Sequence, residues 1–561
     1  MEAWRLGRLG RSLRHVQRYR EIATILVRYG FGDLVRRMAL DQRLGIRLVT
    51  GGRLKLENLS RAERVRMMLE ELGPTFVKLG QILSMRPDLV PPAYLHELAK
   101  LQDEVPPFPC EEVRKIIETE LGRPVSELFP RFEEDPIASA SLGQVHRAVD
   151  ALGRDVVVKV QRPGIQRRIK ADLEIMLHLA GLLERRVEGW ETQHPTALVE
   201  ELARSVDREL DYTLEAAHME RFAEQFAGDP RIHVPVVYRE LTTPRVLTME
   251  LIDGVKPDDR AALQASGLDP RLIAERGADL ILEQILVAGF FHADPHSGNI
   301  RILEDNVICY LDFGMMGRLD RHSREYFADL VLGVVERDEG AVADALLKLT
   351  IVEEEPNRNQ LERDLAELMD RHFYRPLKEM QVGLFLLELV GLVSRHQLSV
   401  PPNLFLMLKA LGTVEGLGRR LDEDFDITRH AEPFLRNLVV ARWRPDRVAH
   451  ELGSSGVEVL GLIKTLPREI RALAAKARRG ELRLILEHRA LEVVLISLER
   501  VGNRLAFAVV LAALVIGSAI MVVSRTPPEL LGMPLIGVIG FVSAAIMGFW
   551  LLVSILRHGK M

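Results

Sequence analysis

An α+β fold in two lobes, with a helical N-terminal extension and a C-terminal helix hairpin of membrane type, is predicted by three observations. Short β-branched runs lie in the first half of the globular region and long amphipathic helices in the second. An Asp, Asn, Asp series follows a lysine-bearing strand at a set spacing. Two runs without charge close the chain, at 505–524 and 530–556. On this reading residues 1–59 form a basic amphipathic segment and 60–130 a helical extension. A first lobe spans 131–254, a second 255–440, basic juxtamembrane helices 441–504, and two transmembrane helices 505–556.

Composition bounds the function. The 561 residues are 47% hydrophobic and 28% charged, enough to bury a large core. Seventy-five Lys and Arg against 80 Asp and Glu leave a net charge of −5, so no global field recruits nucleic acid, and none is expected as a partner. Two cysteines, Cys110 and Cys309, are too few and too distant for a disulfide scaffold or a thiolate zinc site, which fits a reducing cytosol.

The N-terminus places Arg5, Arg8, Arg11, Arg14 and Arg18 at helical spacing with Leu6, Leu9, Leu13 and Val16 between them, and lacks the apolar core of a secretory signal. At the other end each charge-free run is long enough to cross a bilayer, and the second is rich in small residues, as paired membrane helices are. A buried pair of soluble helices is the alternative, but soluble helices seldom lack charge for so long. Arg500, Arg504, Arg557 and Lys560 flank the outer ends of the hairpin, which predicts that both ends are cytoplasmic. Cations between 463 and 504 suit contact with anionic headgroups, so membrane lipid is an expected partner.

The chemistry is carried by Phe290-Phe-His-Ala-Asp-Pro-His-Ser-Gly-Asn-Ile300 and Val307-Ile-Cys-Tyr-Leu-Asp-Phe-Gly314. Asp294, Asn299 and Asp312 lie five and thirteen residues apart. That is the spacing of a protein-kinase-like fold, in which the first Asp faces the phosphoryl acceptor, the Asn holds Mg²⁺, and the Asp of Asp-Phe-Gly holds the metals that bridge the phosphates of ATP. Upstream, residues 156–160 and 245–249 read as strands, the first carrying Lys159 between valines, suited to the α- and β-phosphates. Before it, Pro136-Ile-Ala-Ser-Ala-Ser-Leu-Gly-Gln-Val-His146 stands where a phosphate-covering loop belongs. Residues 208–217 read as one helix, with Asp211 and Glu215 a turn apart on one face and Glu209 about 200° round from Asp211. Residues 269–288 read as another, from Leu272, Ile273, Leu280, Ile281 and Ile285.

With these elements stands Phe76-Val-Lys-Leu-Gly-Gln-Ile-Leu-Ser-Met-Arg-Pro-Asp88, which by itself reads only as a helix with a glycine. Together they make the chain, from about residue 60 onward, similar to the UbiB family of quinone-linked atypical kinases. The resemblance implies that Lys78 and Gln81 sit on an extension folded over the site, that Glu209 and Asp211 face it as a regulatory acidic motif, and that Glu215 pairs with Lys159. It assigns nucleotide binding to Ala138, Ser139, Ala140, Ser141, Leu142, Gly143, Gln144, Val145, Lys159 and Glu250, metal to Asn299 and Asp312, and catalysis to Asp294 with Lys159, Glu215 and Lys78. It also implies ATP and Mg²⁺ as cofactors, a role in ubiquinone biosynthesis, quinone precursors and other quinone enzymes as partners, a bacterial inner-membrane location, and room for oligomers.

Departures from ordinary protein kinases are as informative. Ala293 replaces the Arg before the catalytic Asp, no Ala-Pro-Glu element follows Gly314, and the covering loop is Ala/Ser-rich, so its Cβ atoms hinder the close backbone approach that glycine permits. His292 and His296 are four apart, but Pro295 and Gly298 spoil the helix a zinc pair needs. Two other readings compete: a small-molecule phosphotransferase, because antibiotic and choline kinases have a similar catalytic loop, and a pseudokinase scaffold. Retention of Lys159, Asp294, Asn299 and Asp312 speaks against the scaffold.

Overall fold

Alternation along one strand sets the geometry of the first lobe. Strands β1 (Arg131–Phe132), β2 (Ala138–Ser139), β3 (Gly143–Val149), β4 (Asp155–Gln161) and, beyond the short β5 (Ile232–His233), β6 (Val246–Glu250) build it. They form an antiparallel sheet in the order β1-β3-β4-β6, with β2 folded onto β3. Side chains on β4 point to opposite faces in turn, so Val156, Val158 and Val160 share one face and Val157 and Lys159 the other. The three valines are fully buried against Val113, Ile116 and Ile117 of helix Cys110–Leu121. Acidic Glu111 and Glu112 begin that helix and left-handed Gly122 ends it. Register then places Lys159 between Val145 and Leu247.

The structure, a computed structural model, describes residues 12–38, 59–84, 90–101, 105–187, 195–352, 356–373, 382–442, 489–523, 529–530 and 533–558. Arg5, Arg8 and Arg11, Met85 to Asp88 of the signature segment, and most of the basic stretch 441–504 lie outside the described residues. The chain divides into two compact units, 1–448 and 449–561.

Within the first unit helix Ser12–Arg28 of the N-terminal segment packs with helices Arg61–Leu72, Pro74–Ser84 and Pro92–Leu98 of the extension. Ser60 opens helix Arg61–Leu72 with a capping box: its hydroxyl accepts from the Glu63 N–H and the Glu63 carboxylate accepts from the Ser60 N–H. Ile22, Ile25, Leu69, Phe76 and Leu98 pack with Ile169, Leu173 and Leu202 of helices Ile165–Arg186 and Pro195–Glu209. The extension therefore shares a core with helices that leave the first lobe after β4. Arg18, expected on the basic stripe of an amphipathic helix, bonds Asp172 at 2.8 Å and the Leu72 carbonyl at 2.7 Å, because the apolar face of its helix is buried by protein. Gly80 has a packing reason: a Cβ there would lie 2.2 Å from Leu101 Cδ1.

The second lobe begins with helix Pro270–Leu282, capped by the Asp269 carboxylate on the N–H groups of Arg271 and Leu272. The expected single helix over 269–288 does not stay regular, since Glu283–Ala288 widens into a π turn. That turn directs the Gln284 amide oxygen to the His292 N–H, 3.0 Å away. Strand β7 (Phe290–His292) pairs antiparallel with β10 (Met316–Arg318), and β8 (Ile300–Leu303) with β9 (Val307–Tyr310), which β5 joins in parallel. Among the described residues six helices from Arg321 to Arg442 follow, Pro402–Leu421 being one of them, and they bury the largest core.

The second unit contains helices Arg489–Val523 and Leu535–His558, joined by strands Glu529–Leu530 and Met533–Pro534. The two helices approach closely where Gly540 meets Ser518: a Cβ on Gly540 would lie 2.1 Å from Ser518 Oγ. Among the described residues one stretch, Ala506–Val523 with mean hydropathy 2.8, is long and apolar enough to cross a bilayer. Its partner contributes the shorter apolar stretch Val538–Phe549.

Gly289, at φ +69°, ends the π turn, and a Cβ there would lie 2.5 Å from the Leu319 carbonyl. Gly153, at φ +82°, has open space. Both Gly→Ala changes carry the strain of left-handed backbone, about 1–3 kcal/mol, but only Gly289→Ala adds a collision with main chain. Thermal unfolding is expected to show the larger Tm loss for Gly289→Ala, and equal losses would refute the contact.

Candidate functional site

The cleft between the lobes is organised around one ammonium. Lys159 Nζ donates to Glu215 Oε1 and Oε2 at 2.8 and 2.9 Å, stands 3.7 Å from Asp312 Oδ2, and lies 5.2 Å from the Tyr212 ring centre. Burial alone would discharge this lysine, but Asp312 and Glu215 outweigh it and raise its pKa. Burial likewise pushes the Glu215 carboxyl up while Lys159 pulls it back, so the two groups are suited to the interior only as a pair.

Glu215 owes its position to a break in the chain. Residues 208–217 are not one helix: helix Pro195–Glu209 ends at Glu209, and Asp211 caps a new helix, Tyr212–Gln225, by accepting from the N–H and hydroxyl of Thr213 at 3.0 and 2.6 Å. The buried Gln161 amide stabilises the break by donating to the Leu210 carbonyl at 2.7 Å and the Pro244 carbonyl at 3.0 Å. Glu215 then lies in the first turn of the new helix, beside the Asp-Phe-Gly segment. One turn on, the His218 ring donates to the Phe313 carbonyl at 3.0 Å.

Asp312 follows β9. The enclosing walls of the cleft push its carboxyl up by desolvation, but the Lys159 ammonium and the Gly314 N–H, 2.9 Å away, hold it down to about 2. Its side chain is 46% exposed, so an ionised oxygen faces the cleft. His292 donates from Nε2 to the Asp312 carbonyl and accepts at Nδ1 from the Asp294 N–H at 3.2 Å, which leaves neither ring nitrogen for a metal. Asn299 donates from Nδ2 to the Asp294 carbonyl at 3.4 Å, so its amide oxygen is not used by that bond. Asp294, Asn299, Asp312, Lys159 and Glu215 are thus brought together as the sequence predicts.

The covering loop is a tight hairpin of β2 and β3, closed by the Ala140 N–H on the Gly143 carbonyl at 2.8 Å. Arg162 ties it from below, donating to the Ala140 carbonyl, the Ser139 hydroxyl and the Pro106 carbonyl. Gly143 is required because a Cβ would lie 2.5 Å from the Val160 carbonyl and 2.6 Å from the Tyr212 hydroxyl. Ser141 is buried, Leu142 packs on the core of the extension, and Val145 packs on the core of the second lobe. Gln144 and Glu250 have other engagements. The Gln144 amide exchanges hydrogen bonds with the Phe108 main chain at 2.9 and 3.2 Å, and the Glu250 carboxylate bonds His233 and the Val236 N–H at 2.9 and 3.1 Å.

From the extension, Lys78 reaches Glu209 Oε2 at 2.7 Å, and its charge also helps to hold Asp312 ionised. The signature helix therefore does face the acidic motif: among the described residues Glu209 of that motif makes an ion pair with Lys78, while Asp211 serves as a cap. Gln81 donates to the Leu101 carbonyl at 3.4 Å, within the extension.

Sequence reasoning missed Lys409, whose Nζ is 2.9 Å from Asp294 Oδ1. No motif could have found it, because helix Pro402–Leu421 follows the loop by a hundred residues and carries no recognisable spacing to it.

Comparison with known proteins agrees with this architecture. Residues 100–346 match the ABC1 atypical kinase-like domain, 365–426 the UbiB helical domain, and 489–557 the ABC1/UbiB kinase-like C-terminal domain. A probable protein kinase UbiB of Marinobacter nauticus is 41% identical over 70% of this chain and 73% of its own length. Its counterpart in Xanthomonas campestris pv. campestris is 33% identical over 91% and 94%. A Clostridium pasteurianum protein described as an uncharacterized protein in a hydrogenase 1 5′ region is 32% identical over 97% of this chain and all of its own.

The Lys78 to Glu209 pair is mostly shielded, with 15% and 14% side-chain exposure. Lys78→Met leaves the Glu209 charge uncompensated and is expected to cost about 1–3 kcal/mol in urea unfolding. Adding Glu209→Leu should restore most of that stability, since a paired charge can be exchanged for apolar packing. No loss for the single variant would remove this pair as the tie of the extension.

Proposed function

The chain belongs to the ABC1/UbiB family of atypical kinase-like proteins, and from that premise we propose that it binds Mg-ATP at the membrane surface and hydrolyses or transfers its γ-phosphate in support of ubiquinone biosynthesis. The observation that carries the proposal is the cluster of Lys159, Glu215 and Asp312 within hydrogen-bonding and ion-pairing distance, with Asp294 and Asn299 on the adjoining loop.

In this reading Lys159, held by Glu215, binds the α- and β-phosphates. The ionised Asp312 oxygen and the Asn299 amide oxygen are hard donors suited to Mg²⁺, which would supply charge neutralisation at the phosphates. Asp294 orients an acceptor hydroxyl or water and takes up its proton. Gly143 and Val145 line the nucleotide from the covering hairpin, and Gln144 acts behind it by anchoring the Phe108 segment. Lys78, tied to Glu209, holds the extension over the acceptor side, which favours small acceptors or water over protein substrates.

The anchor follows from the second unit. Val509, Ile516, Ile520, Ile546 and Phe549 are exposed on its helix pair, an arrangement costly in water and stable in lipid. A two-pass hairpin with both ends in the cytoplasm accords with Arg500, Arg504, Arg557 and Lys560 at its outer ends. Lipophilic quinone precursors would lie within the same bilayer.

Asp312→Asn replaces the ionised metal donor by a neutral amide. It is expected to abolish the Mg-ATP-dependent rise in Tm and to fail to complement a ubiquinone-deficient strain. A folded variant that keeps the full nucleotide shift would overturn the metal assignment.

Truncation before Arg504 is expected to yield a nucleotide-competent protein whose remaining binding to anionic vesicles falls with salt, because basic segments then provide the attraction. Flotation with such vesicles at low and high salt measures this, and salt-insensitive binding would refute it.

A further inference from the structure

The loop that carries Asp294 contains no cation of its own: from Phe290 to Ile300 there is neither Lys nor Arg, and Ala293 precedes the aspartate. A carboxylate meant to orient an acceptor beside the phosphates faces repulsion from them, and an isolated one is free to rotate away. A nearby positive charge solves both problems. In this chain it comes from another part of the fold.

Lys409 stands on helix Pro402–Leu421, whose Met407, Ala410, Leu411 and Val414 are buried in the second-lobe core. This packing fixes the backbone on either side of Lys409 and leaves its ammonium at the cleft, 2.9 Å from Asp294 Oδ1, with about a third of the side chain exposed. The other oxygen, Oδ2, faces His296 Nε2 at 4.0 Å. Asp294 is therefore held from one side by a helix outside the kinase-like region matched at 100–346 and inside the helical domain matched at 365–426.

We propose that Lys409 is the positioning residue of Asp294: the helical domain completes the phosphoryl-transfer site by supplying the cation that the catalytic loop lacks. This rests on the reading of Asp294 given above. Lys409 fixes the carboxylate rotamer by a charge-assisted hydrogen bond and compensates its charge when the phosphates arrive. Its removal costs turnover and not nucleotide affinity, because Lys159, Asn299 and Asp312 are untouched.

The test is a double-variant cycle in the full-length protein, with Mg-ATP turnover and the nucleotide-dependent Tm shift measured in parallel. Lys409→Ala is expected to lower kcat about tenfold or more while KM for Mg-ATP stays within about twofold. Lys409→Arg should recover most of the rate, and Lys409→Ala should add nothing to Asp294→Asn. A multiplicative loss in the double variant, or a loss confined to KM, would overturn the proposal. A wild-type protein without a Mg-ATP shift would sink the functional reading instead, and the pair is then judged from Tm of the nucleotide-free variants, where strictly additive effects of Lys409→Ala and Asp294→Asn would overturn it.

Discussion

A partly buried ammonium needs a partner, and much of the first unit is arranged to give Lys159 one. The alternation of β4 turns Lys159 away from Val156, Val158 and Val160 and toward the cleft, where water cannot fully solvate it. Glu215 must then come from another element, and Asp312 from a third. The single ion cluster thus joins the sheet, the helix Tyr212–Gln225 and the Asp-Phe-Gly segment, which share no local sequence relation. Removing Lys159 would leave the Glu215 charge buried and unpaired, so this constraint ties the sheet to the helix Tyr212–Gln225.

The same economy explains the acidic motif. Leu210 and Asp211 interrupt what residue periodicity alone presents as one helix, and the interruption is stabilised by Gln161 from the end of β4. Because of it, Glu209 points to the extension and pairs with Lys78, while Glu215 points to Lys159. Two carboxylates six residues apart thereby serve two neighbours in different directions. The extension is joined further by Arg18 and Thr75 on Asp172, so the helices after β4 act as its platform.

Legibility differed by the kind of information required. Asp294, Asn299 and Asp312 could be read because one short stretch of chain, a loop and two strands, sets their spacing. Lys159 could be read because a strand of valines interrupted by one lysine advertises both its element and its exception. Gln144, expected in the covering loop, lies in β3, and Glu250 ends β6 one residue past the expected strand; their side chains bond elsewhere, a matter of cross-strand neighbours that no local pattern contains. The π turn at Glu283–Ala288 was hidden for a related reason: its apolar spacing is that of an ordinary helix, and only the pull of the His292 N–H on Gln284 reveals it.

The sequence by itself determined the α+β class, the kinase-like constellation, membership of the UbiB family and an apolar C-terminal helix, because each depends on residue identity, short-range spacing or hydropathy summed along one segment. Only the tertiary structure decided that Asp211 caps a new helix where Glu209 pairs with Lys78, that Gly80 is demanded by Leu69 and Leu101, and that Lys409 stands against Asp294. Those contacts join residues far apart in the chain, and their distances are set by how helices and sheet pack their apolar faces, which is a property of the whole core and of no single stretch within it.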